Sequence, residues 1–113
     1  MSVRAILPTA DPASGFWAAS RDNGLDAHLA WAAASWALAR VFRLKPAEVR
    51  FYLDSDAGRL LAEDLMFIDG DPTSADAIEA LIWARLDHLG WRRWYAAAIA
   101  QVRGGTGGAA AGA

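Results

Sequence analysis

Apolar residues recur three and four positions apart through most of this chain, and no run of any length alternates as a strand would; the pattern specifies helices. Six tryptophans are set into it: Trp17, Trp31, Trp36, Trp83, Trp91 and Trp94. Each indole buries roughly 200 Å² or more and carries one hydrogen-bond donor, which suits it to cores and to interfaces. Hydrophobic residues make up 55% of 113 residues, so the chain is not disordered and can build one core without staples. The reading is an all-α, compact bundle of about four helices: residues 1–103 form a single helical domain, and 104–113 form a disordered Gly/Ala tail.

Punctuation residues divide the chain. Pro8, Pro12, Ser14 and Gly15 mark an irregular arm with a short helical turn through Trp17. Asp22-Asn23-Gly24 precedes a long central helix expected from about Leu25 to Leu44, with Asp26 near its start and Arg40 and Arg43 near its end, the signs the helix dipole prefers. Pro46 suits the first position of a helix through Leu53, and a further helix is expected from Ala57 to Ile68. Asp69-Gly70-Asp71-Pro72 is a turn. Thr73 or Ser74 then caps a last helix on Ile78, Ile82, Leu86 and Leu89, which continues past Gly90 with a kink or a break there.

Charge and cysteine content narrow the function classes. A net charge of −2 does not announce a nucleic-acid binder. The absence of cysteine removes disulfides, thiolate metal sites and thiol catalysis, and fits a cytoplasmic location. The most apolar run, Leu29 to Ala39, contains Ser35 and is closed by Arg40 and Arg43. It is too short to span a bilayer and reads as a buried helix of a soluble protein.

Chemistry-bearing clusters are few. The acids Asp54, Asp56, Glu63, Asp64, Asp69, Asp71 and Asp76 are the densest charge feature, and hard cations favour such oxygen ligands. A calcium loop counted from Asp69 has Ser74 where glycine is required and Ala80 where glutamate is required; counted from Asp54 it has Arg59 and Leu65. Helix capping and solvation are the favoured roles for these acids. His28 and His88 are far apart and neither has a partner at ligand spacing. With no nucleophile elbow, phosphate loop or H-E-x-x-H, the chain reads as a non-enzyme with no catalytic residues, no metal and no cofactor.

The sharpest binding candidate is Trp91-Arg92-Arg93-Trp94-Tyr95. Trp, Tyr and Arg dominate interface hot spots, and the same residues can stack bases and grip phosphate. At helical spacing Trp91, Trp94 and Tyr95 share a face, so burial in the core is the competing role. Trp31, Trp36 and Trp83 are expected in the core, whereas Trp17, Trp91 and Trp94 are expected to face a partner.

A second stretch, Ala47 to Asp64, contains Tyr52-Leu53-Asp54-Ser55, Gly58-Arg59 and Ala62-Glu63. It resembles a segment of small proteins from proteobacterial plasmids and integrative elements, which carry Phe-Leu-Asp-Ser-x-x-Gly-Arg-His-Phe-Ala-Asp. Ala77-Ile78 and Trp91 match the continuation, so the likeness covers roughly Ala47 to Trp94; Leu60-Leu61 departs from His-Phe. The resemblance implies a mobile-element setting and no transferable activity. As structure, Asp54 and Ser55 would end one helix and cap the next, Gly58 would allow close helix contact, and Arg59 would pair with Asp54 or Glu63. The expected function is a non-catalytic protein–protein interaction protein of a phage or mobile element that docks on a larger bacterial protein or complex, such as an inhibitor of host defence of the anti-CRISPR kind. The alternatives are a DNA-binding accessory protein using Arg40, Arg43, Arg92 and Arg93, and then a small metal-dependent hydrolase or nuclease.

Overall fold

Local chain signals account for most of the helix boundaries. The computed structural model describes residues 8–104. Ser14 precedes α1 (Gly15–Asp22), and Gly24, at φ 81°, turns the chain toward the next helix. Asp26 accepts a 3.1 Å hydrogen bond from the Leu29 amide and starts α2 (Ala27–Phe42), which Arg43 closes in the left-handed region. Pro46 opens α3 (Pro46–Asp54), where the Glu48 carboxylate reaches back to the Lys45 amide at 2.9 Å. Ser55 alone separates α3 from α4 (Asp56–Asp64), which tightens into a 3-10 turn at Leu65–Phe67. Asp71 accepts from both the amide and the hydroxyl of Thr73, and Ser74 then caps α5 (Ala75–Leu86). Asp87 and His88 break the helix before α6 (Leu89–Arg103).

The helices pair out of sequence order. α2 lies chiefly along α5, and α1 chiefly along α4, so the two pairings interleave along the chain. α3 links both pairs, and α6 rests against α3 and α5. Phe16, Trp31, Leu38, Tyr52, Leu53, Leu61, Ile78, Ile82 and Tyr95 form the centre of the core. Burying such side chains contributes on the order of 1.5–3 kcal/mol each.

The α3–α4 corner is built on glycine. A Cβ at Gly58 would fall 2.6 Å from Leu53 Cα and from the Tyr52 carbonyl oxygen, so only glycine lets α4 start so close to α3. Ser14 fastens the N-terminal arm to this corner: its buried hydroxyl donates to the Leu53 carbonyl at 2.9 Å.

Several expectations are corrected. The described residues hold six α-helices rather than about four, because the α3–α4 corner and the Asp87–His88 break divide longer apolar patterns. The central helix runs from Ala27 to Phe42, two residues shorter than expected at each end. Gly90 neither kinks nor breaks a helix, since it sits in the first turn of α6, where backbone amides need no helical partner. Residues 105–113 of the expected tail lie outside the described residues.

The tryptophans are also partly reassigned. Trp17 does not face outward: it is 7% exposed, packed edge-on against Trp31 at 6.1 Å and His28 at 4.6 Å. Trp83 is 49% exposed, because Ile78 and Ile82 occupy the inward face of α5 and leave its neighbour turned outward. Trp36 is half-buried beneath the Arg40 guanidinium, 5.5 Å from the ring centre. Trp31 lies in the core as expected.

Candidate functional site

α6 carries a stepped set of aromatic rings from the core to the surface. Tyr95, Ile99 and Val102, spaced four and three apart, are its buried stripe. Trp91 and Trp94 lie one turn and one residue before Tyr95, at the edge of that stripe, and are half-buried. Tyr95 stacks on Phe42 at 5.5 Å. Trp94 meets Tyr95 edge-on at 4.8 Å, and Trp91 meets Trp94 edge-on at 5.4 Å. Edge-to-face contacts of this kind hold rings in place beyond their area burial.

Opposite these rings stands Leu60 of α4, partly exposed, and the space between is an apolar groove. Its first hollow, about 260 Å³, is lined by Leu60, Gly90, Trp91 and Trp94. A second, about 200 Å³, continues along α6 past Ala97 and Ala98 and ends beside Asp56 and Gln101. Leu60 and Trp94 line both, so they form one surface. Leu89, 64% exposed, extends the apolar area at the start of α6. Gly90 leaves the groove mouth open, since nothing lies within 4 Å of where its Cβ would be.

Arg85 of α5 positions the first ring. Its guanidinium pairs with Asp64 at 3.5 Å and lies 5.2 Å from the centre of the Trp91 ring, tying α4, α5 and α6 together. Arg92 is directed away from the groove and donates at 3.1 Å to the Leu86 carbonyl at the end of α5. Arg93 is exposed and has no ion-pair partner among the described residues. Behind the groove, burial pushes the Tyr95 phenol up to about 12 and holds the Tyr52 phenol well above its usual range, with the Asp64 carboxylate acting in the same direction on both.

The structure therefore splits the residues expected at the partner surface. Trp91, Trp94 and Arg93 are at the surface together; Tyr95 is 2% exposed and is a core residue, as is Trp17, and Arg92 caps a helix. Leu60, Gly90 and Arg85 were not anticipated. Leu60 departs from the apolar line of Leu61 and Leu65 on the same helix, and that was the available signal for it.

The Asp54–Arg59 corner stands at the start of α4, where Asp56 and Ala57 border the end of the groove and Arg59 lies toward α1. Asp54 pairs with Arg50 at 3.4 Å, and the Ser55 hydroxyl donates to the Tyr52 carbonyl at 2.6 Å rather than capping α4. Arg59 lies nearest Asp56, at 4.0 Å, and not Asp54 or Glu63 as expected. Gly58 does make the close helix contact expected of it. Among the described residues no three His, Asp or Glu side chains come together as a metal site, and no helix is long and apolar enough to cross a membrane. Arg40, one of the candidate DNA contacts, is held by Asp76 and Glu79, each at 3.2 Å. Compared with protein-family models, curated proteins and solved structures, the chain finds no match.

Proposed function

We propose that this chain is a non-catalytic interaction protein that docks on a larger bacterial protein or complex through the α4–α6 groove. The observation that carries the reading is the pair of half-buried indoles, Trp91 and Trp94, held rigid by ring contacts beside exposed Leu60. Rigid aromatic anchors around an apolar hollow are the usual composition of an interface hot spot. A setting in a phage or mobile element, with inhibition of a host defence complex as the concrete role, rests on the likeness of Ala47–Trp94 to mobile-element proteins.

The DNA-binding alternative has less support in the side-chain arrangement. Arg40 is ion-paired, and Arg92 and Arg103 donate to helix carbonyls, which leaves Arg43 and Arg93 apart from one another in the chain. Salt-dependent retention on duplex DNA would favour that alternative.

The test is affinity capture from a bacterial host with the wild-type chain, Trp94→Ala and Leu60→Glu, each first shown to be folded by circular dichroism. Docking predicts one protein retained by the wild type and lost with both variants. Equal retention by all three would overturn the reading.

A further inference from the structure

α6 has a second flank, turned away from the α4–α6 groove. Arg92, Ala96, Ile99 and Arg103 follow one another at spacings of four, three and four, so they share one line along the helix. Along that line lies a hollow of about 380 Å³, bounded also by Phe42 at the end of α2, Leu86 at the end of α5, and Tyr95 and Ala100 of α6. Its volume falls in the range of small-molecule sites. Its floor is apolar: Phe42 stacks on Tyr95 at 5.5 Å, and Ile99 is buried.

The charged residues of the lining are both arginines, one at each end. Arg92 donates to the Leu86 carbonyl at 3.1 Å and Arg103 to the Phe42 carbonyl at 2.9 Å, which fixes the two guanidiniums in place. Each of these bonds uses one of five N–H donors, and a carbonyl carries no charge. Neither arginine has an ion-pair partner among the described residues, so each end keeps its positive charge and spare donors. No acid lines the hollow: Asp87, next after Leu86, lies outside the lining, and Glu79, further back on α5, is engaged by Arg40.

A matching occupant is apolar in its middle and anionic at its ends. Arg92 and Arg103 are three turns apart, about 16 Å along the axis, and a guanidinium fork fits a carboxylate. A molecule with one anionic end leaves the other arginine unmatched. A phosphate backbone would bring charge over the apolar floor.

We infer that this hollow binds a slender apolar molecule with a carboxylate at each end, its body along Phe42, Tyr95 and Ile99 and its carboxylates on Arg92 and Arg103. The site is separate from the Trp91–Trp94 groove and does not depend on docking there.

Isothermal titration calorimetry with dodecanedioate as the probe tests it, against dodecanoate, which has one carboxylate, and the neutral diol of the same length. The expected order has dodecanedioate tightest, dodecanoate about three- to tenfold weaker, and the diol weaker again by a similar factor. Arg92→Gln and Arg103→Gln each bring the diacid down to the affinity of the monoacid and leave the diol unchanged, which separates a lost carboxylate contact from a lost fold. Ala100→Leu, at an exposed position of the lining, fills the hollow and abolishes uptake of all three. A diacid that binds no better than the diol overturns the inference. So does an order of affinities that survives Arg92→Gln and Arg103→Gln, which marks an adventitious apolar contact only, or uptake that survives Ala100→Leu.

Discussion

Arg103, in the last turn of α6, donates a 2.9 Å hydrogen bond to the carbonyl of Phe42, the last residue of α2. The C-terminus of one helix is thus closed by the end of another, 61 residues later. Arg92 does the same for α5 through the Leu86 carbonyl. Carbonyls at helix ends lack intrahelical donors, and a guanidinium is a favourable partner for them and for the negative end of the dipole.

Replacing Arg103 with alanine removes one of these fastenings. Stability is expected to fall by about 1 kcal/mol, since the bond is charged but exposed. Amide exchange at Ile99 and Val102 should quicken more than exchange at Ile78 and Ile82. Uniform quickening across the core would show that α6 is not held separately.

At the other side of the same helix end, Arg43 sits at φ 53° in a conformation that suits glycine. Arg43→Gly is expected to raise stability by up to about 1 kcal/mol. The midpoint of urea unfolding measures it; a lower midpoint would mean that the Arg43 side chain contributes more than its backbone strain costs.

Two glycines should respond in opposite directions. Gly58→Ala places a methyl group against the backbone of Leu53 and should destabilise by about 1–3 kcal/mol. Gly90→Ala meets no atom within 4 Å and removes a flexible residue from a helix, so it should be neutral or stabilise by up to about 1 kcal/mol. Thermal unfolding of both variants decides the matter.

The tryptophans give a sharper contrast. Trp17→Ala opens a cavity beside Trp31 and should cost about 3–5 kcal/mol, enough to unfold a marginal domain. Trp83→Ala removes a half-exposed ring and should cost no more than about 1 kcal/mol. Equal losses would contradict the placement of both rings.

Burial of both tyrosines makes the fold alkali-sensitive. The unfolded chain releases phenolic protons near pH 10, whereas Tyr95 holds its proton to about 12 and Tyr52 is also raised. Stability is therefore complete below pH 10 and falls as pH rises through the folded values, by up to about 1.4 kcal/mol per pH unit for each tyrosine. These are the only two tyrosines in the chain, so tyrosinate absorbance should not rise just above pH 10 and should appear together with unfolding. Tyr52→Phe should make the decline shallower, since it removes one of the two raised phenols.

Helix ends were legible in part. Pro46 opens its helix as expected and Ser74, one of the two candidates, caps α5, whereas Asp26, expected inside the first turn, is itself the cap of α2, and Ser55 does not cap α4. Helix faces were harder to read. α5 is apolar around nearly its whole girth, so periodicity could not say that Ile82 turns in and Trp83 turns out; contact with α2 decides that. Trp17 lies in a short segment after two prolines, and its burial comes from His28 and Trp31 in another helix. The groove was half legible. The Trp91–Trp94 pair is visible as a motif, but its facing wall at Leu60 exists only because the fold brings α4 across a hollow from α6.

The interleaved helix pairs carry a consequence for how the chain is made. α1 finds its companion only when α4 exists, and α2 only when α5 exists. While the chain is being synthesised, α1 can pack on α2 as Trp17 does on Trp31, but the face of α2 that meets α5 stays uncovered until residues near Leu86 have been made. A leading fragment exposes that face to other chains until the α2–α5 pair closes. Cutting the chain between α4 and α5 would leave both halves with an orphaned helix rather than yield one folded subdomain.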